Sequence, residues 1–207
     1  MAPEGSGRAR VFVLATFNPD KARELEPLLA EAGIVLETLA AHPGATAPVE
    51  HGATLLENAR IKARAALGVT GKPAIADDTG LEVDALSGAP GVHAARFAGP
   101  DATYADNVAL LLERLAGVPM ERRTARFRTV CVACFPDGRE VTAEGALDGR
   151  IRETPRGSGG FGYDPVFELP DGRTYADLTP AEKNAISHRG RAVRALAAKL
   201  AALARAG

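Results

Sequence analysis

The sequence has few cysteines, no hydrophobic run long enough to cross a bilayer and almost no excess of either charge. Each shortage removes a class of protein. Cys131 and Cys134 stand in the run CVAC, which formally matches a C-x-x-C pair. They lie inside the alternating stretch RFRTVCVACF, where an extended chain sends them to opposite faces. The expectation is two small buried hydrophobes, not a redox couple. No apolar stretch approaches the roughly 18 residues of a membrane span. The opening MAPEGSGRAR is polar and lacks the apolar core of a secretory signal. A cytoplasmic protein that does not bind a membrane is expected, with a flexible tail over residues 1–9. The net charge of −1 offers no global field for nucleic acid or anionic lipid. An anionic ligand therefore needs local Lys and Arg, and an RNA-binding module is disfavoured. Internal repeats, low-complexity linkers and the phosphate-loop pattern G-x-x-x-x-G-K-[ST] are also missing.

What remains is ordinary for one globular domain, here residues 10–207: 46% apolar and 25% charged residues over a chain of 207. RVFVLAT predicts a strand. The helix after it is capped by Asn18, opened by Pro19, interrupted at Pro27 and ended at Gly33. IVLETL predicts a second strand. Thr54 and Glu57 form a capping box that opens a helix ending at Gly68. PAIA predicts a short strand ending at Asp77, and DATYADNVALLLERLAG a helix. RRTARFRTVCVACF and REVTAEGALDGRI predict a long hairpin joined at PDG. Thr179 and Glu182 box a last helical region, interrupted near Gly190. Helices alternate with strands early and strands pair late, which argues for a mixed sheet with helices on its faces, α/β or α+β.

Several segments carry chemistry, each with a plainer alternative. In ATFNPDK a strand feeds a helix N-terminus bearing Lys21, a setting that favours phosphate; an ordinary connection with a solvated lysine is the alternative. Lys62, beside Arg60 and Arg64, is a cation or part of a wet face, and Glu50 is a free carboxylate of unassigned purpose. Asp77 and Asp78 leave their strand in different directions, so one can ligate Mg²⁺ while the other fixes its surroundings. DDTG is also a favourable Asx-type turn. GSGGFGYDP sets Phe161 and Tyr163 among glycines, as a stacking surface for a base or as a mobile loop with an aromatic anchor. Lys183, His188 and Arg189 are donors for carbonyl and phosphate oxygens, or cations answering a helix dipole.

Taken in order, LATFNPDKARELEPLL, LLENARIKARAAL, AIADDTGLEVDALSGAPGVHAARFAG, GSGGFGYDPVF and LTPAEKNAISHRGRA resemble the inosine triphosphate pyrophosphatase family across almost the whole chain. The resemblance implies a long twisted mixed sheet in two lobes, a nucleotide in the cleft between them and a homodimer. It also implies Mg²⁺-dependent hydrolysis of the purine triphosphates ITP, dITP and XTP to the monophosphate and pyrophosphate. By position it assigns the phosphates to Thr16, Phe17, Asn18, Pro19, Asp20 and Lys21; Lys62 and Arg96 are read beside them as further cations that offset the triphosphate's charge. Asp78 becomes proton acceptor and metal ligand, with Glu50 and Asp77 as weaker ligands, and Thr79 a substrate contact. Phe161, Gly162, Tyr163, Asp164, Lys183, His188 and Arg189 form the base side, where His188 and Arg189 donate to the 6-oxo group. Two positions depart from the family: Val49-Glu50 replaces a pair of acids, and Ala94-Ala95-Arg96 replaces Ser-Ala-Arg. A pyrophosphatase for modified pyrimidine nucleotides and a non-catalytic nucleotide sensor are the competing readings.

Overall fold

The computed structural model describes residues 11–205; the expected tail over residues 1–9 lies outside them. Its frame is a seven-stranded mixed sheet in the order β2-β1-β3-β5-β6-β7, with β4 attached to β3. The strands are β1 (Val11–Leu14), β2 (Val35–Thr38), β3 (Ala74–Val83), β4 (Pro90–Gly91), β5 (Thr124–Cys134), β6 (Glu140–Ile151) and β7 (Phe167–Glu168). The helices are α1 (Pro19–Glu31), α2 (Leu55–Thr70), α3 (Tyr104–Arg114), α4 (Pro180–Ile186) and α5 (His188–Arg205). β1 runs parallel to β2 and β3, while β3, β5, β6 and β7 are antiparallel in turn.

Three cores follow from the two-residue period of the strands. Ile75, Cys131 and Ala133 face α1 and α5, where Leu25, Leu29, Val193 and Leu196 are buried. Ala74, Ala76, Val132 and Cys134 face the other way, onto Ala59, Ala63 and Ala66 of α2. Small residues there let that helix lie close to the sheet. Cys131 and Cys134 thus sit in different cores as free thiols, as the alternation predicts. The far halves of β3 and β5 carry a third core, in which Leu81, Val83 and Phe127 meet Leu111 of α3 and Phe167 and Tyr175 of the late segments.

The capping signals hold, and three boundaries move. Asn18, Thr54 and Thr179 cap their helices as side-chain acceptors, and Thr103, not singled out in the sequence, caps α3 in the same way. α1 continues through Pro27 to Glu31. α2 passes Gly68 and stops at Gly71, whose φ of 65° lets its N–H close on Leu67. The late helical region breaks at Ser187, in an extended conformation, and not at Gly190. Ser187 Oγ accepts from the N–H of Gly190 at 2.9 Å and so caps α5. Gly190 serves close packing, because a Cβ there would stand 2.2 Å from the carbonyl oxygen of Asn184.

The largest correction concerns the acidic pair. PAIADDTG does not end in a turn; it continues as one strand of ten residues. β5 pairs with all of it, from Ala74 against Cys134 to Val83 against Ala125. That ladder outweighs the local turn preference of Asp and Gly.

Candidate active site

β3 outruns its parallel neighbour, and that mismatch makes the site. β1 pairs with β3 only at Ala74 and Ile75, and β4 joins the same edge only at Leu81 and Glu82. Between them Asp77, Asp78, Thr79 and Gly80 have a strand, β5, on one side alone. Open sheets bind ligands in such crevices, beyond the carboxyl ends of parallel strands. A cavity of about 620 Å³ lies there.

Alternation sends the two acids to opposite faces of the sheet, and each meets the cations of its own side. Asp78, on the α2 side, accepts from Lys62 Nζ at 2.7 Å, and the same ammonium reaches Glu50 at 3.2 Å. Lys62 is largely buried, not part of a wet face. Burial alone would lower its pKa, but Asp78, Asp77 and Glu50 outweigh that and raise it, so it stays charged. Asp77, on the α1 and α5 side, lies 3.3 Å from both Lys21 Nζ and Arg189 Nε. Burial would raise its pKa; Lys21, Arg189 and Lys62 more than reverse this and hold it far below the usual carboxylate range. Lys21 is shifted down, chiefly by burial, with Asp77 opposing. One carboxylate oxygen of each acid, Asp77 Oδ1 and Asp78 Oδ2, is buried without a hydrogen-bond partner among the described residues. Of the pair, Asp78 lines the large cavity, together with Glu50 and Lys62. Asp77 lies behind it as the anchor of Lys21 and Arg189.

The connection between β1 and α1 forms the opposite wall, with Thr16, Phe17, Asn18, Pro19, Asp20 and Lys21. Thr16 Oγ1 accepts from the N–H of Asn18 at 3.2 Å, and Asn18 Oδ1 accepts from the N–H groups of Asp20 and Lys21 at 2.9 and 3.2 Å. The amides that a helix N-terminus would offer to phosphate are therefore already capped. The donors left are side chains, above all Lys21 and the second N–H of Asn18 Nδ2, whose first donates to the Tyr104 hydroxyl at 3.3 Å. Arg96 closes another edge of the cavity and donates to the carbonyl of Glu50 at 3.3 Å.

A smaller cavity of about 90 Å³ adjoins the first, sharing Asn18, Lys21, Thr79, Ala95 and Tyr104 with it. Phe161, Gly162, Tyr163, Asp164, Lys183, His188 and Arg189 line it. The glycine-rich loop is pinned by Asp164, whose Oδ2 accepts from the N–H of Phe161 at 2.8 Å and from Lys183 Nζ at 2.5 Å. Gly160 has φ 71°, and a Cβ there would lie 2.0 Å from that oxygen. Phe161 is part-exposed, whereas Tyr163 belongs to the far core and donates to the carbonyl of Ala94 at 2.8 Å. His188 stacks on Phe127, centroids 4.7 Å apart, with Tyr175 beyond. Burial first, then Arg189 and Lys183, lowers its pKa well below 6.5, so the imidazole is neutral.

Arg189 is committed more deeply than its sequence position suggests. Its Nε donates to Asp77, its Nη1 to Glu24 and its Nη2 to Thr79 Oγ1 at 3.1 Å. Three of the five guanidinium N–H donors are engaged, which leaves one on each Nη. Sequence reasoning missed Glu24, which holds Arg189 and also Lys183 at 2.7 Å. It reads as one more acid on a solvated helix face, and only the approach of α4 and α5 gives it partners. Tyr104 was missed too; it lines both cavities. Asn107 likewise had no signal, yet it accepts from the N–H of Ala98 at 2.8 Å and donates to the carbonyl of Ala95 at 3.2 Å. It thereby fixes the turn that presents Arg96.

The site thus joins a cationic and acidic chamber to a slot floored by rings. Among the described residues no helix is long and apolar enough to cross a membrane. The chain is 51% identical over 186 residues to a dITP/XTP pyrophosphatase of Geobacillus kaustophilus, covering 89% of this chain and 91% of that protein. It is 52% identical over 197 residues to a dITP/XTP pyrophosphatase of Symbiobacterium thermophilum, with 95% and 98% covered. Among solved structures, a HAM1 protein from Coxiella burnetii superimposes with a TM-score of 0.84 at 40% identity, over 93% of this chain and 98% of that one. The family model described as the Ham1 family matches residues 12–199, and the chain belongs to that family.

Proposed function

We propose that the protein hydrolyses non-standard purine nucleoside triphosphates, ITP, dITP and XTP, to the monophosphate and pyrophosphate. One observation carries this reading. Asp78 Oδ2 is buried, with no partner among the described residues, in the wall of a cavity flanked by Lys21, Lys62 and Arg96, and that cavity opens onto an aromatic slot. The names of the bacterial relatives support it.

The phosphates lie in the larger cavity, where Thr16 to Lys21, Lys62 and Arg96 offset their charge. Asp78, held in place through Oδ1 by Lys62, presents Oδ2 to a water and takes its proton as the oxygen attacks the α-phosphorus in line. The bond from that phosphorus to the α,β-bridging oxygen breaks, and pyrophosphate leaves. Lysine charge stabilises the oxygens that gain charge as it does so. Thr79 sits at the junction of the two cavities, where α-phosphate and sugar meet the protein.

The residues present fit Mg²⁺. Among the described residues no three His, Cys, Asp or Glu side chains form a ready-made cage, and Mg²⁺ commonly takes one or two carboxylates with waters and substrate phosphates. Asp78 would hold it, with Glu50 as the second carboxylate; Asp77, outside both cavity linings, positions Lys21 and Arg189 instead. When bound, the ion supplies charge neutralisation and polarises the phosphoryl oxygens.

The base occupies the smaller cavity against Phe161, with Gly162, Tyr163 and Asp164 shaping the loop. Lys183 and the remaining N–H groups of Arg189 are donors that suit a 6-oxo group, and His188 adds one donor in its neutral form. Adenine would set its 6-amino group against them, a mismatch that can cost several powers of ten. A homodimer in the cytoplasm accompanies this reading on the strength of the family resemblance. A panel of ITP, dITP, XTP, ATP, GTP, dUTP and methylated pyrimidine triphosphates tests it. Rates at least about 100-fold higher on the first three than on ATP are expected; a preference for the pyrimidines would replace this reading with the alternative, and no turnover at all would leave a sensor.

A further inference from the structure

We infer that Tyr104 is the second jaw of an aromatic clamp that faces Phe161 across the base slot, latched by its own hydroxyl. The inference rests on the nucleotide reading above and adds a residue to it. Tyr104 is the first residue of α3 and is held there by a capping box: Thr103 Oγ1 accepts from the N–H of Asp106 at 3.2 Å, and Asp106 accepts from the N–H of Thr103 at 2.8 Å. Its side chain is not absorbed by the core. It is 41% exposed and lines both cavities.

Two contacts define what it does. Its ring lies 5.8 Å from that of Phe161, centroid to centroid, with the planes tilted by 41°. Its hydroxyl donates to Asp20 Oδ2 at 3.0 Å and accepts from Asn18 Nδ2 at 3.3 Å. One residue therefore joins α3, the phosphate-side loop and the base-side loop. Phe161 is the fixed partner, because Lys183 Nζ stands 4.8 Å and the Arg189 guanidinium 5.8 Å from its ring centre.

The spacing shows that the clamp is closed. A flat base between two parallel rings needs two contacts of roughly 3.5 Å each, about 7 Å between the rings. The present 5.8 Å falls short of that, and the slot of about 90 Å³ is smaller than an ordinary ligand site. Entry of a base requires Tyr104 to move outward by about 1 Å and to turn parallel to Phe161. That movement breaks its bonds to Asp20 and Asn18 and frees Asn18 Nδ2, a donor on the wall of the phosphate cavity.

The experiment compares wild type, Tyr104→Ala and Tyr104→Phe. It measures KM and kcat on ITP, with inhibition by IMP, which has a base, and by inorganic tripolyphosphate, which has none. Tyr104→Ala removes the jaw. KM for ITP and the inhibition constant of IMP should rise about 5- to 150-fold, the range of base–aromatic stacking, while kcat stays within about 2-fold of wild type and tripolyphosphate binding is not weakened. Tyr104→Phe keeps the jaw and removes both latch bonds, so IMP should bind at least about 2- to 10-fold more tightly, the worth of one of the two hydrogen bonds lost. If Tyr104→Ala weakens IMP and tripolyphosphate equally, or neither, the clamp is wrong and Tyr104 merely ties α3 to the start of α1. Weakening of IMP by Tyr104→Phe as large as that by Tyr104→Ala would also overturn it. A wild-type protein that binds tripolyphosphate but not IMP would overturn the nucleotide reading itself, and the clamp with it.

Discussion

Lys62 Nζ donates to Asp78 Oδ1 over 2.7 Å, and the other oxygen of that carboxylate has no partner among the described residues. The lysine does two things at once: it fixes the rotation of the carboxylate and keeps its buried charge compensated. Replacing it with Met removes both. Removing one member of a buried pair costs about 3–5 kcal/mol, so Lys62→Met should lower the urea midpoint markedly and reduce kcat on ITP together. A variant with full activity and an unchanged midpoint would show that Asp78 needs no holder.

Glu24 binds Lys183 and Arg189 from α1, although neither belongs to that helix. Glu24→Gln leaves two neighbouring cations without a shared anion. Hydrogen bonds to charged groups contribute about 1.5–3 kcal/mol each, so chemical denaturation should show a loss of at least that size. Because both cations line the base slot, KM for ITP should rise more than the inhibition constant of tripolyphosphate. Equal change in both would place Glu24 in the general scaffold.

His188 supplies the pH dependence. Its folded pKa lies well below 6.5, because burial and two neighbouring cations oppose its charge. The unfolded chain takes up a proton as pH falls through the ordinary value of about 6.5, and the folded protein does not. Stability is therefore lost as pH falls below that value, by up to about 1.4 kcal/mol per pH unit from this one group, until the folded pKa is reached. His188→Gln should flatten the slope of stability between pH 6.5 and 5 relative to wild type. The same slope in both proteins would mean that His188 titrates freely.

Caps and periods made much of this fold legible in the sequence. Asn18, Thr54 and Thr179 announce their helices through local hydrogen bonds, and the alternation in RFRTVCVACF places Cys131 and Cys134 on opposite faces. Asp77 and Asp78 were legible as chemistry but not as structure. DDTG satisfies the local rules of a turn, and only the ladder to β5, distant in sequence, makes it strand. Lys62 shares its helix with Arg60 and Arg64, and nothing in the helical period says that one turns inward while Arg60 pairs with Glu140. Glu24 and Tyr104 were illegible for the same reason. Their partners, Lys183, Arg189, Asp20 and Phe161, come from elements that meet them only once the sheet has formed.

The central claim concerns the free oxygen of Asp78, and one substitution isolates it. Asp78→Asn keeps the shape of the side chain and removes its negative charge. With Mg²⁺ present, wild type should release pyrophosphate from ITP. Asp78→Asn should do so at least about 100-fold more slowly, the scale of a lost general base, while its inhibition constant for IMP stays within a few-fold of wild type. Near-normal pyrophosphate release by Asp78→Asn, with IMP still bound, would contradict the account.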